Sequence, residues 1–256
     1  MPLRTLAIHA HPDDIEILAG GTLALLAAQG HSLTLVSLSD GDCGSTQHGP
    51  EELGRIRRTE AQSAARLIGA EYAWGGFHDL GIFIDDVGRR RVTALLRRFR
   101  PDLILTASPR DYHCDHEAAS RLVEDASFAV SCPNYDTSAY DPAPATERIP
   151  HLYFMDPTGG VDRDQNPVQP HFLVDVAAQL ALKRDLLACH ASQREWLRRQ
   201  HGMDDYLDTM ERWTRARGKL AGLAAAEGFR QYLGHPFPRS PLLQDLLREL
   251  VYELPR

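Results

Sequence analysis

The stretch AIHAHPDDIEILAGG, residues 7–21, sets an apolar run directly against a histidine, a proline and two adjacent aspartates. The apolar run that ends at His9 is typical of a buried strand, and residues 15–29 carry Leu and Ala at helical spacing. The proline between the two segments favours a turn. The stretch therefore predicts a strand, a tight turn and a helix, with the polar residues 11–14 in the turn.

The same succession of strand and helix follows three more times along the chain. The further predicted pairs are residues 32–41 with 51–70, 71–77 with 85–99, and 102–108 with 116–130. Alternation of this kind is typical of α/β proteins, in which helices connect neighbouring parallel strands. We therefore predict a mostly parallel sheet with helices on both faces.

The second half of the chain begins with two long segments that lack periodicity, residues 132–149 and 156–170, which we interpret as loops. Helical patterns from about residue 175 form a C-terminal helical region, over residues 172–200, 203–229 and 240–254. We expect Trp196 and Trp213 in this region to be packing residues. The length of 256 residues fits one domain, residues 1–256.

The composition narrows the classes of partner. The chain has 28 Lys and Arg against 35 Asp and Glu, and this excess of acid argues against nucleic acid, whose phosphates need a basic face. No apolar segment has the length of a membrane span, and no secretory leader is recognisable at the N-terminus. The four cysteines lack the close spacing of a disulfide framework or a thiolate zinc site. We expect a cytoplasmic protein without membrane contact that binds a small molecule or another protein.

A second polar cluster, SPRDYHCDHEAA at residues 108–119, follows the fourth predicted strand. Ligands of an open parallel sheet bind in the crevice at the carboxyl ends of the strands, so the two clusters should meet at one edge. His11, Asp14 and His116 would then offer two imidazoles and one carboxylate to a single ion. A catalytic zinc site takes three such ligands and leaves a position for water. We predict one zinc ion per chain, or another divalent metal such as Fe²⁺.

The residues beside these ligands are candidates for proton transfer. Asp13 projects differently from its neighbour Asp14, so it is free to handle protons. His113, oriented by the carboxylate of Asp115, would act as a general acid or as a donor to an oxyanion. Taken alone, the first motif could be a turn with an aspartate helix cap, and His113 a solvated loop residue. The presence of both motifs favours the catalytic interpretation.

AHPDDIEILAGGTLA and HCDHEAA, in that order and on those elements, resemble the LmbE-like or PIG-L family of zinc-dependent de-N-acetylases. RRTEAQSAARLIGA, LLACHASQ and AAAEGFR are weaker signals that extend the resemblance over most of the chain. The resemblance implies a Rossmann-like fold, zinc on His11, Asp14 and His116, Asp13 as general base, and His113 at the developing oxyanion. Members often have a proline where Cys114 stands, which affects only the local shape of the loop.

The resemblance also implies three substrate-binding residues, each with a simpler alternative. Arg57 would contact a hydroxyl or phosphate of the substrate, or else be a solvated helix arginine. Asp79 would orient the substrate, or else be an ordinary surface aspartate. His190 lies in a helical pattern, where a half-buried packing histidine is the alternative to a residue near the site.

The predicted reaction is hydrolysis of an N-acetylated amino sugar to acetate and a free amine. The amide resists attack because of resonance, and its amine leaves poorly unless it is protonated. Zinc would polarise the carbonyl and activate water, and Asp13 would move the protons. The alternatives are another metal-dependent amidohydrolase, a phosphoesterase, or a nucleotide-sugar-binding module without catalysis.

The two predicted loops follow the second motif, so we expect them to lie over the same crevice. Tyr135 and Tyr140 of the 132–149 loop could stack on a sugar and set the choice of substrate. Solvated connectors, or an interface between copies of the chain in a homo-oligomer, are the alternatives.

Overall fold

The computed structural model describes residues 2–202 and 205–255, whose strands form one sheet. The strands are β1 (Arg4–His9), β2 (Ser32–Ser39), β3 (Glu71–Phe77), β4 (Leu103–Thr106), β5 (His151–Met155), β6 (Phe172–Asp175), β7 (Ala226–Gln231) and β8 (Val251–Glu253). The α-helices are α1 (Asp14–Ala28), α2 (Pro50–Leu67), α3 (Asp86–Phe99), α4 (Cys114–Ala129), α5 (Leu180–Ala188), α6 (Ala191–His201), α7 (Tyr206–Lys219) and α8 (Leu242–Leu247). Single 3₁₀ turns cover Thr158–Gly160, Ala177–Gln179 and Arg248–Leu250.

The strand order is β3-β2-β1-β4-β5-β7-β6-β8. The first five strands are parallel, and β7, β6 and β8 continue the sheet through antiparallel pairs. The predicted Rossmann-like, mostly parallel sheet is therefore confirmed. The antiparallel edge was not part of the prediction.

Alternate residues of the central strands feed two separate cores, which confirms helices on both faces. Ala7 of β1 and Leu105 of β4 belong to one core, with α1, α5 and α8. Their neighbours Ile8 and Ile104 belong to the other, with α3 and α4. This division follows from the period of two along a strand, because successive side chains point to opposite faces.

The chain reverses its direction of travel across the sheet at β1. It first adds β2 and β3 on one side of β1 and then returns to place β4 on the other side. Helices connected to β1 and β4 therefore diverge and leave a crevice at the carboxyl ends of these two strands. The two polar clusters, at residues 11–14 and 108–119, both follow these strand ends.

Part of the predicted C-terminal helical region is β-structure. Residues 172–175, 226–231 and 251–253 are strands β6, β7 and β8, while Met203 and Asp204 lie outside the described residues. Short apolar runs fit a buried strand and a buried helix equally well. The pairing of β6 with β7 and β8, which decides between the two, joins residues more than 50 positions apart in β6 and β7.

A buried ion pair locks α1 to the C-terminal part of the sheet. Glu227 of β7 accepts hydrogen bonds from the backbone N–H groups of Gly21 and Thr22 and from Nζ of Lys183, at 2.8, 2.7 and 2.7 Å. Gly21 has no room for a side chain, because a Cβ there would lie 2.7 Å from Cβ of Val176. Close packing of α1 thus depends on glycine and fixes the helix that begins at the first motif.

Candidate active site

The first motif forms a strained turn between β1 and α1. Asp13 has a φ of 101° and a ψ of −28°, an unfavourable conformation for a residue with a Cβ, and its side chain makes no capping bond to α1. Asp14, the first residue of α1, turns back so that Oδ2 accepts the N–H of His11 at 2.8 Å. The alternative of a simple aspartate cap therefore does not describe this turn. Backbone strain of this kind is held where a side chain must face a site.

Three buried donor groups from the two motifs converge. Nδ1 of His11 lies 3.2 Å from Nε2 of His116 and 3.3 Å from Oδ2 of Asp14, and Nε2 of His116 lies 3.4 Å from Oδ1 of Asp14. With zinc–ligand bonds of about 2.0–2.1 Å, tetrahedral geometry places neighbouring ligand atoms about 3.3 Å apart. The three groups thus have the spacing of a zinc site.

Each of these three groups has a buried polar partner behind it. Nδ1 of His9 lies 2.6 Å from Oδ2 of Asp14, and Oδ1 of Asp111 lies 3.0 Å from Nδ1 of His116. Nε2 of His11 lies 3.1 Å from Oδ1 of Asp79 and 3.3 Å from Oδ2 of Asp115. Partners of this kind fix the orientation and tautomer of metal-binding histidines.

The electrostatics of the cluster also suit a cation. Burial alone would raise the pKa of Asp14, but the imidazoles of His116, His9 and His11 outweigh it and hold that pKa well below its usual range. Burial alone would lower the pKa of His11, but the surrounding carboxylates raise it well above its usual value. Four carboxylates within contact of two imidazoles leave an excess of negative charge that a divalent ion would balance.

Asp13 faces the same crevice with separate partners. Its Oδ2 accepts the hydroxyl of Tyr206 at 2.5 Å, and its Oδ1 lies 3.7 Å from Nη2 of Arg57. Burial raises the pKa of Asp13 and nearby Asp14 adds to the rise, while Arg57 and the tyrosine hydroxyl oppose it. A carboxylate whose proton affinity is raised in this way is suited to accept a proton.

His113 caps α4 through its ring. Nδ1 accepts the backbone N–H of Asp115 at 3.2 Å, so a neutral ring carries its proton on Nε2. Burial lowers the pKa of His113, and the nearby His11 and His116 lower it further, which favours that neutral ring. The expectation that the Asp115 carboxylate orients His113 is wrong, because Oδ2 of Asp115 accepts the N–H of Leu80 at 2.7 Å and faces His11.

The three residues expected to bind substrate have different surroundings. Asp79 is half-buried and lines the cavity beside His11. Arg57 also lines the cavity, but it is buried and donates to the carbonyls of Pro12 and Gly41 at 2.8 and 3.0 Å, so the alternative of a solvated helix arginine is wrong. His190 is not among the described residues that line the cavity; its Nε2 lies 3.2 Å from Oε1 of Glu16.

A cavity of about 330 Å³ opens in front of these groups. Helices α6 and α7 form its outer wall, with Gln193, Trp196, Leu197, Asp205, Tyr206, Thr209, Met210 and Trp213. Trp196 and Trp213, which we expected to pack, also line this cavity. Their half-buried indoles line the cavity because α6 and α7, which carry them, form its wall.

The 132–149 loop lies elsewhere. Arg97 of α3 donates to the carbonyls of Cys132 and Tyr135 at 2.7 and 2.9 Å, and the ring of Tyr135 stacks under Arg90 at 4.4 Å. The expectation that this loop covers the crevice is wrong, since the bonds to Arg97 hold it against α3. From the 156–170 loop, Thr158 reaches the cavity.

Sequence reasoning missed three residues that touch the cluster. His9 could have been found, because it lies two positions before His11, and Asp111 because it lies within the second motif. No sequence signal identifies Tyr206, which lies 193 positions after Asp13. All four cysteines are free, as expected. Among the described residues, none of the helices has both the length and the apolar character needed to cross a bilayer.

Comparison with known proteins identifies relatives of this site. The family model described as GlcNAc-PI de-N-acetylase, PIG-L, matches residues 6–127. A 4-oxalmesaconate hydratase of Pseudomonas putida is 27% identical over 73% of this chain and 73% of its own length. A diacetylchitobiose deacetylase of Thermococcus kodakarensis is 26% identical over 89% of this chain and 82% of its own. The solved N,N'-diacetylchitobiose deacetylase of Pyrococcus horikoshii superposes with a TM-score of 0.75, at 24% identity, over 93% of this chain and 88% of that one.

Proposed function

We propose that this protein, in which residues 6–127 match the PIG-L family model, is a metal-dependent hydrolase that removes the acetyl group from an N-acetylated amino sugar. The observation that carries the proposal is the triangle of His11, Asp14 and His116, with donor atoms 3.2 to 3.4 Å apart, facing one cavity together with Asp13 and His113. The relatives include both deacetylases and a hydratase, so the reaction itself is our inference.

His11, Asp14 and His116 would hold the ion, for which zinc is the best match to two imidazoles and a carboxylate. When bound, zinc supplies a Lewis acid that polarises the amide carbonyl and lowers the pKa of water. His9 and Asp111 keep Asp14 and His116 in the orientation that binding needs.

Asp13 is the proposed general base. It would take a proton from the water that attacks the carbonyl carbon and return it to the departing nitrogen. Arg57 supports this role from behind, since its guanidinium is already bonded to Pro12 and Gly41 and faces the carboxylate. We assign Arg57 to the turn and to Asp13, and not to the substrate.

The ring of His113 is the proposed donor to the oxyanion. Its Nδ1 is engaged by the N–H of Asp115, so Nε2–H is the group left to donate into the cavity. Asp115 would contribute indirectly, by holding His11. Asp79 would hold His11 as well and could accept a hydroxyl of the substrate with its second oxygen.

The lining of the cavity favours a neutral, hydroxylated substrate. Two tryptophans offer faces for a sugar ring, while Asp79, Asp205 and Thr209 offer partners for hydroxyls. Among the described lining residues, Arg57 is the only lysine or arginine, and it is already bonded to two carbonyls. Four of the described lining residues are aspartates, which would repel a substrate with several carboxylates.

Hydration of a carbon–carbon double bond is the second candidate, because the hydratase of P. putida matches 73% of this chain. Both reactions need activated water and a base, so the chemistry of the cluster does not separate them. The four aspartates of the lining disfavour the polycarboxylate substrates of such an enzyme.

The test measures acetate release from N-acetylglucosamine and its glycosides by zinc-loaded protein, with a chelator-treated sample as control. In parallel, the loss of ultraviolet absorbance of unsaturated di- and tricarboxylates reports hydration. We expect acetate release that disappears with the metal and returns when zinc is added back. Hydration without acetate release would replace the proposal by the second candidate.

A further inference from the structure

Helix α7 lies outside residues 6–127, yet it supplies a buried hydroxyl to the first motif. On the basis of the proposed function, we propose that Tyr206 is a positioning residue that holds the general base Asp13 in its working orientation. The tyrosine acts through the aspartate and takes no proton from the substrate.

The hydrogen bond from Tyr206 to Asp13 is the closest polar contact of that carboxylate. The hydroxyl lies 2.5 Å from Oδ2, whereas the guanidinium of Arg57 is 3.7 Å from Oδ1, beyond hydrogen-bond distance. Asp13 makes no capping bond, and its backbone is held at a φ of 101°. Without Tyr206, rotation of the carboxylate about its terminal torsion would therefore have no directional restraint.

The tyrosine ring is itself held in place. Tyr206 packs with Leu187 and Met210 in a small core between α5 and α7. Its hydroxyl therefore reaches Asp13 from a ring that is fixed by packing, and the hydrogen bond leaves Oδ1 open to water. Misplacement of a reacting group lowers the reaction rate, so a general base with a fixed orientation is an advantage.

Tyr206→Phe removes the hydroxyl and keeps the ring. We expect kcat for acetate release to fall roughly tenfold to a hundredfold, with KM within about twofold and zinc content unchanged. The matched control is Tyr153→Phe, since Tyr153 is buried, donates to Gln244 at 2.9 Å and lies away from the cavity lining. The control should leave kcat unchanged.

A double-mutant cycle distinguishes positioning from a general structural effect. The more reactive N-trifluoroacetylglucosamine keeps the residual rate of Asp13→Asn measurable. If Tyr206 acts through Asp13, Tyr206→Phe slows the wild type but adds little to Asp13→Asn. An equal loss of kcat in both backgrounds, or an unchanged kcat in the single variant, would overturn the inference. A wild type that releases no acetate from any substrate would instead remove the proposed function, and the positioning role with it.

A second inference rests on a separate observation, the aromatic side chains that line the cavity. Tyr206, Thr209, Met210 and Trp213 share one face of α7, so Trp213 lies about 10 Å along the helix axis from the tyrosine that touches Asp13. A Cβ on Gly159 would lie 3.7 Å from the indole of Trp213, and one on Gly44 would lie 3.4 Å from that of Trp196. Each indole thus lies close to a glycine of a neighbouring loop, with room for about one methyl group between them.

From this arrangement we infer that Trp213 binds a second pyranose ring, joined to the amino sugar that reacts at Asp13. For Trp213→Ala, we expect kcat/KM for diacetylchitobiose to fall about tenfold and that for N-acetylglucosamine to stay within about twofold. In Asp13→Asn protein, diacetylchitobiose should quench indole fluorescence, and Trp213→Ala should reduce the quench. The control is Trp74→Phe, because Trp74 stacks on Arg58 outside the cavity lining. Equal losses for the two sugars would overturn this inference, whereas no turnover of either sugar by the wild type would overturn the proposed function alone.

Discussion

Replacement of Asp111 by asparagine tests whether the carboxylate behind His116 prepares that histidine for a metal. Asp111 is fully buried, and its Oδ1 lies 3.0 Å from Nδ1 of His116. Its oxygens also accept the N–H groups of His113 at 3.3 Å and Thr158 at 3.2 Å. Oδ1 thus faces His116 and His113, and Oδ2 faces Thr158. An asparagine has only one side-chain oxygen, so its NH₂ group must face the donors on one of these two sides.

The expected loss follows from that geometry. If the amide oxygen stays toward His116, the imidazole keeps an acceptor but loses the negative charge that raises its basicity. Loss of such a partner weakens metal binding by about 10- to 100-fold, which corresponds to about 1.4–2.7 kcal/mol. Asp111→Ala removes every acceptor, so the protein should also lose about 1–3 kcal/mol of stability for each buried donor left unpaired.

The assay titrates metal-free protein with zinc in competition with a chromophoric chelator. Asp125→Asn is the matched control, because Asp125 pairs with Arg89 at 3.2 Å on the surface of α4, away from the cavity lining. Urea unfolding of the metal-free variants reports the fold separately. A zinc Kd for Asp111→Asn equal to that of the wild type, in protein that unfolds normally, would refute the assignment of His116 as a ligand supported by Asp111.

Further predictions concern the ion, the base and the buried charges. Asp14→Ala should lose the single ion per chain while keeping its circular dichroism spectrum, and full occupancy by elemental analysis would contradict the ligand assignment. Asp13→Asn should keep the metal and lose nearly all acetate release, because an amide cannot accept the proton of water; near-normal turnover would exclude it as the base. Lys183→Met should lower the free energy of unfolding by about 3–5 kcal/mol, since it leaves Glu227 buried without its cation, and a second change, Glu227→Gln, should recover part of that loss in urea titrations. Burial raises the pKa of Asp156 to about 6, so the folded protein binds this proton more tightly than the unfolded chain. The stability that results is lost as the pH rises from about 4 to about 6. Asp156→Asn should flatten the dependence of unfolding free energy on pH in this range, and an unchanged slope would contradict the shift.

The sequence was sufficient where the deciding interactions are local. The alternation of strands and helices in the first 130 residues predicted four of the five parallel strands, because each strand-helix unit has its own periodicity and turn; β5 was not predicted. The rule that parallel strands share one carboxyl edge then predicted that His11, Asp14 and His116 meet. Their distances of 3.2 to 3.4 Å agree with that prediction, whereas their role as ligands stays a prediction.

Contacts between distant segments determined the parts of the fold that local patterns did not predict. The FLVD of β6 became a strand because β7 and β8 pair with it, and no local period encodes such a partner. The 132–149 loop is held away from the crevice by Arg97, a residue of α3 whose hydrogen bonds have no signature in sequence. The wall of the cavity came from α6 and α7 instead.

Side-chain direction was the other property that only the tertiary structure fixed. Spacing brought Asp115 close to His113, but the carboxylate turns to Leu80 and His11 while its backbone N–H holds the ring. Tyr206 reaches Asp13 across 193 positions because α7 is packed against α5 and β7. The sequence by itself thus determined which reactive groups gather at the sheet edge, since local periods place them there, and the packing of distant helices determined how those groups are oriented and enclosed.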